Sequence, residues 1–193
     1  FKITPYPLNE EMVAIENQKY TGIAGEPTGI TVTHAATTQN ITLKNGTDYM
    51  VVKDSYSQNT EVGNHTVQIE GKGDYSGVVE ASYRIEPVDL TDESINVEVS
   101  AEKEYTGKTL KPDVKVTQKA ADRDITLKED TDYTVSIAAK NENGASEDAP
   151  KNIATYIVTI TGKGNYTGNI EEEYKIISID VRKATVSDVK ESY

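Results

Sequence analysis

The sequence predicts an all-β chain of tandem sandwich-like modules, and three features carry that prediction. The stretch Ile160-Thr161-Gly162-Lys163-Gly164-Asn165-Tyr166-Thr167-Gly168 has a twin in Ile69-Glu70-Gly71-Lys72-Gly73-Asp74-Tyr75-Ser76-Gly77. The offset is 91 residues (166 − 75) and holds from Val67/Val158 to Ile85/Ile176, the mark of a repeat array. Apolar residues alternate at period two on both sides of each twin, as half-buried strands require. Valine and isoleucine far outnumber leucine, threonine and tyrosine are abundant, and no sustained helical period appears.

In chain order, Phe1-Lys2-Ile3-Thr4-Pro5 matches Tyr83-Arg84-Ile85-Glu86-Pro87, so residues 1–4 read as the end of a preceding repeat. Residues 5–86 then make a first module and residues 87–176 a second. Residues 177–193 read as the start of a third, with Tyr193 standing where Tyr20 stands in the first. Beginning at Phe1 without Met, the chain reads as a piece of something longer.

Within the modules, the segment 12–16 predicts a short strand, followed by Tyr20-Thr21-Gly22 and Pro27. Its counterpart is Ile95, Val97 and Val99 at period two, then Tyr105-Thr106-Gly107 and Pro112. Ile30-Thr31-Val32-Thr33 and Val114-Lys115-Val116-Thr117 alternate in the same way. Next, Ile41-Thr42-Leu43-Lys44-Asn45-Gly46-Thr47-Asp48-Tyr49 recurs from Ile125 to Tyr133. Asn45-Gly46 between two strand-like runs predicts a type I′ hairpin, which needs positive φ at both central residues. The second module has Glu129-Asp130 there, so its turn type stays open. Asp48 and Asp132 are placed to accept hydrogen bonds from turn N–H groups.

Each module closes on one apolar face. In the first it carries Val67, Ile69, Val79, Ala81, Tyr83 and Ile85; in the second, Val158, Ile160, Ile170, Glu172, Tyr174 and Ile176. Glu172 interrupts that face, which predicts a place near an open sheet edge. Tyr75 and Tyr166 are expected to fold back over the glycine loop as packing anchors, their hydroxyls hydrogen-bonded.

Composition sets the outer bounds. A chain of 193 residues has room for two domains of about 90, and an apolar fraction of 36% suits thin two-layer modules. There is no cysteine, hence no disulfide framework and no thiolate metal site. Thirty-two acidic residues against twenty basic ones give a formal charge of −12, with no basic stripe, which excludes nucleic acid as a partner. No run approaches the ~20 apolar residues of a membrane span, and no signal-peptide pattern is present.

The chemistry-bearing patterns fail one by one. Gly162-Lys163-Gly164 lacks the Ser/Thr and the following helix of a phosphate loop. His34 and His65 are the only histidines, too few for a zinc site and without histidine counterparts in the second module. The acids lack the loop spacing of a calcium-binding hand. No catalytic residue, metal ligand or cofactor is therefore assigned. Recognition, if the chain has any, is expected where the modules diverge. The second is seven residues longer between Ala138 and Ile153, where the offset rises from 84 to 91. That polar run reads as a solvated tip, with Asn141, Glu142, Asn143, Glu147 and Asp148 as the candidate binding residues. Tyr20, Tyr56 and Tyr105 are read as exposed rings suited to stacking on sugars.

Taken together, Tyr-Thr-Gly…Pro, Leu-Lys-x-x-Thr-Asp-Tyr, Gly-Lys-Gly-Asn-Tyr-Thr-Gly and Tyr-x-Ile resemble the bacterial Ig-like repeats of Firmicutes-type secreted and cell-surface proteins. The resemblance covers essentially the whole chain; Asp74-Tyr75-Ser76 and the insertion in the second module are its departures. It implies tandem Ig-like β-sandwich modules in an elongated array, with β-grasp-like modules as the alternative. It implies a non-catalytic stalk or spacer of an extracellular adhesin-like protein at the bacterial cell surface. The partners it implies are adjacent repeats of the same chain. The alternative is a module that binds a glycan or host protein through the divergent loops.

Overall fold

The computed structural model describes residues 2–120, 123–140, 150–180 and 182. Wherever period-two alternation runs, a strand forms. The first repeat contains β1 (Tyr6–Pro7), β2 (Val13–Ile15), β3 (Gln18–Lys19), β4 (Ile30–Ala35), β5 (Asn40–Thr42), β6 (Tyr49–Val51), β7 (Gly63–Gly71), β8 (Tyr75–Ser76) and β9 (Val78–Glu86). The second contains β10 (Val88–Asp89), β11 (Ile95–Val99), β12 (Glu102–Glu104), β13 (Val114–Lys119), β14 (Asp124–Thr126), β15 (Tyr133–Ala139), β16 (Ala154–Gly162), β17 (Tyr166–Thr167) and β18 (Asn169–Ile177). Among the described residues no helix reaches seven residues, and the chain is all-β. By contacts it falls into two compact units, Phe1–Val88 with Gly164–Tyr166, and Asp89–Lys163 with Thr167–Tyr193.

Both repeats wire their strands alike. The first builds a three-stranded sheet β2-β4-β5 and a four-stranded sheet β3-β9-β7-β6; the second builds β11-β13-β14 and β12-β18-β16-β15. All pairs in these sheets are antiparallel except β3 with β9 and β12 with β18, where an early strand lies parallel to the last one. The entry strand is held separately, Leu8 N–H bonding Ser76 O and Leu90 N–H bonding Thr167 O, each at 2.8 Å. Core residues come from both sheets of a repeat: Val32 from one, Val67, Ile69 and Tyr83 from the other, all in one buried cluster. Strand β9 shows the alternation directly, with Val79, Ala81, Tyr83 and Ile85 buried between exposed neighbours, all polar except Val78. Burying a side chain the size of Val79 or Ile85 contributes about 1.5–3 kcal/mol.

The predicted hairpin at Asn45-Gly46 does not exist. Strand β5 before it pairs with β4 and strand β6 after it pairs with β7, so the segment crosses from one sheet to the other. Only Gly46 has positive φ, 83°, and Gly46 N–H bonds Tyr49 O at 2.7 Å. The second repeat makes the same turn: Asp130 N–H bonds Tyr133 O at 2.7 Å, with Asp130 at φ 68°. Asn-Gly supplied local permissiveness for the turn, while the sheet assignment came from where the flanking apolar residues bury. Glu172 lies exposed on β18, whose far side is covered by β12 only from Lys175 to Ile177. Its neighbourhood is therefore an open edge, as its charge required.

Candidate functional site

The two repeated signatures meet at one corner of each repeat. The Asp48 carboxylate accepts the Lys44 N–H and the Asp132 carboxylate accepts the Lys128 N–H, each at 2.8 Å. The glycine loop closes on the same turn: Lys72 N–H bonds Asp48 O at 2.8 Å, and Lys163 N–H bonds Asp132 O at 2.9 Å. The lysine side chain follows, with Lys163 Nζ donating to Asp130 O at 2.7 Å and Lys72 Nζ to Gly46 O at 3.5 Å. The cation of Gly-Lys-Gly thus serves a carbonyl of the Asp-Tyr turn it packs against. The leading glycine is required by close approach. A Cβ on Gly162 would stand 2.6 Å from Thr167 N, and one on Gly71 2.6 Å from Ser76 N.

The histidines have structural employment. His65 Nε2 lies 2.6 Å from Glu61 O, and since a carbonyl only accepts, Nε2 carries the proton. Tyr156 occupies the matching place in the second repeat, its hydroxyl donating to Asn152 O at 2.9 Å. His65 lies 6.0 Å from the Tyr83 ring and Tyr156 6.2 Å from Tyr174, so a tyrosine stands in for the imidazole. His34 stacks on Tyr6 with centroids 4.1 Å apart and shares a 3.1 Å hydrogen bond with the Tyr75 hydroxyl. Burial pushes the Tyr75 phenol up, and the nearby Asp48, Asp74 and Tyr6 add to the effect. The Tyr75 ring packs edge-on against Tyr6 and His34, and its hydroxyl is hydrogen-bonded to His34, the two features expected of a packing anchor. Tyr75 itself is half-buried, whereas Tyr166 is only 4% exposed.

The loop residues Asn141, Glu142, Asn143, Glu147 and Asp148, nominated from sequence, lie outside the described residues. The three tyrosines read as exposed are half-buried instead, and Tyr20 and Tyr56 pack against the core of the first repeat. The rings of Tyr20 and Tyr56 cover apolar surface that thin sheets leave open. The tyrosine that does stand out is Tyr6, 44% exposed. Its entry-strand position beside two prolines carried no apolar alternation by which sequence could place it.

A cleft of about 190 Å³ opens in the first repeat between Gln18, Ile23, Pro27, Asn59 and Tyr83. Its amides are engaged within the protein. Gln18 bonds the Thr28 N–H, hydroxyl and carbonyl, while Asn59 donates to Thr66 O and the Tyr83 hydroxyl. In the second repeat Lys103 replaces Gln18 and holds the corresponding loop through Lys111 O at 2.7 Å and Asp113 at 3.0 Å. An ion pair there does the work of an amide and a hydroxyl. Among the described residues no three His, Asp or Glu side chains are grouped to hold a metal ion, and no helix is long and apolar enough to cross a membrane.

No protein-family model, curated protein or solved structure matches the chain.

Proposed function

We propose that the chain is a non-catalytic, load-bearing spacer: a pair of Ig-like modules in the stalk of an extracellular, adhesin-like protein of the bacterial surface. The observation that carries this reading is the parallel pairing of an early strand with the last strand in each repeat. Gln18 and Lys19 pair with Ile85 and Glu86, and Glu102–Glu104 pair with Lys175–Ile177. Tension applied along the chain pulls such a pair in opposite directions along its own axis. All its hydrogen bonds are then loaded together, whereas an antiparallel hairpin pulled at its open end unzips one bond at a time. The internal use of Gln18, Asn59, Lys163 and both histidines supports a framework role as well. The cell-surface setting rests on the resemblance of the repeated motifs.

Pulling single chains from both ends tests the proposal. Two discrete unfolding events are expected, each releasing on the order of 300 Å at ~3.5 Å per extended residue. Smooth extension without force peaks would refute a load-bearing role.

A further inference from the structure

The second repeat presents a strand edge that the first does not. In the first repeat β6 ends after Tyr49–Val51 and the chain turns into the short 3-10 segment Lys53–Ser55. In the second, β15 continues for seven residues, Tyr133–Ala139, at the end of its four-stranded sheet. It pairs with β16 on one side, and no described strand covers the other.

The parity of that edge is readable. Lys140 N–H bonds Thr155 O at 2.9 Å, so the even-numbered residues of β15 turn their backbone groups towards β16. Val135, Ile137 and Ala139 therefore turn theirs outward. Tyr133 faces the same way, and its carbonyl already accepts the Asp130 N–H at 2.7 Å. Edge strands usually carry charges, prolines or bulges that discourage pairing. Tyr-Thr-Val-Ser-Ile-Ala-Ala has none of these. Beside it, Val135 and Ile137 line a hollow of about 80 Å³ with Pro112 and Val114, and the charged Lys111 and Glu129 complete its lining.

We propose that this edge is a self-association site, at which β15 of a second copy adds antiparallel about Ser136. In that register Val135 stands opposite Ile137 of the second copy, and both present outward-facing backbone groups, so their N–H and C=O groups pair. Asp132 then stands opposite Lys140 of the second copy at both ends of the seam, beside the partners each already holds within its own chain, the Lys128 N–H for Asp132 and Glu173 for Lys140. The strand itself carries no charge, so the charge pattern favours the two-fold arrangement over a parallel one, which would set like charges together. The formal charge of −12 per chain opposes association at long range, but salt screens that repulsion beyond about 8 Å under physiological conditions.

Ser136 is exposed and meets its own copy at the two-fold axis. It forms a non-hydrogen-bonded pair there, where the side chains of opposing strands come closest. Sedimentation velocity on the full chain at physiological salt should show a concentration-dependent species of twice the 21.1 kDa chain mass. Ser136→Lys and Ser136→Glu should each weaken dimerisation at least about tenfold by setting like charges opposite. Mixing the two variants should restore it, with the circular dichroism melt of each variant unchanged. A chain that stays monomeric to millimolar concentration overturns the proposal. So does a wild-type dimer that Ser136→Lys leaves intact, or variant dimerisation that mixing fails to restore.

Discussion

Asp130 is the only non-glycine among the described residues with a positive φ, 68°, and it stands where the first repeat has Gly46. The left-handed region costs an L-residue roughly 1–2 kcal/mol, less for Asp than for most. The second repeat tolerates that cost because the turn is determined by its neighbours. Asp132 receives the Lys128 N–H, and Lys163 Nζ caps the Asp130 carbonyl. Asp130→Gly should therefore raise stability by about 1 kcal/mol, read as a shift of the urea midpoint at constant slope. An unchanged or lower midpoint would show that the left-handed aspartate carries no such cost. The substitution of His65 by Tyr156 teaches the same lesson. What the position requires is a ring bearing a donor that reaches a carbonyl four residues back, and two chemistries meet that requirement.

At the scale of elements, the glycine loop and the Asp-Tyr turn form one unit of structure, although the sequence lists them as separate motifs. The backbone at Gly162 passes so close to Thr167 that no side chain fits between them. Gly162→Ala should lower stability by about 2 kcal/mol, as overpacking in tight sites does. Gly25 has open space around the position of a Cβ and no positive φ, so Gly25→Ala should be neutral or slightly stabilising. Equal urea midpoints for the two variants would contradict the close-approach explanation. The misread hairpin belongs to this scale too. Asn45-Gly46 announces a turn, but a turn joining paired strands and a turn crossing between sheets look alike over nine residues. Pairing of β5 with β4 and of β6 with β7 separates them, and those partners lie elsewhere in the chain.

At the scale of the whole molecule, the repeats share one wiring and differ where the sequence diverges: in the length of the edge strand, in the Gln18/Lys103 exchange, and in the insertion. Titrating groups set a pH window for stability, with its acid side drawn from the second repeat. Hydrogen bonds from the Thr91 N–H, then its hydroxyl, hold the Asp89 carboxyl below its ordinary value. The Lys140 hydrogen bond and charge do the same for Glu173. A depressed carboxylate contributes stability above its unfolded value and loses it as pH falls through the folded one. Burial first, with nearby carboxylates second, raises the phenols of Tyr49 and Tyr133. A raised phenol contributes stability below its unfolded value and loses it as pH rises towards the folded one. The melting temperature should thus be level near neutrality, fall below about pH 4, and fall again above about pH 10. Asp89→Asn should flatten the acid limb and leave the alkaline limb in place. A thermal-melt series that keeps its full acid limb in this variant would show that Asp89 contributes nothing to it.

Strand identity, the two-fold repetition and the buried faces were legible in the sequence because they are written in local period and in self-similarity. Val79, Ala81, Tyr83 and Ile85 alternate in the chain as they alternate in burial. The capping role of Asp48 and Asp132 was legible too, since a side chain that bonds a backbone group four residues away acts locally. Tertiary structure alone decided which strands pair, that early and last strands lie parallel, that Tyr20 and Tyr56 cover the core, and that the lysine of Gly-Lys-Gly caps a turn. These depend on contacts between residues tens of positions apart. A chain's local pattern states which faces want burial, but not which distant segment will bury them.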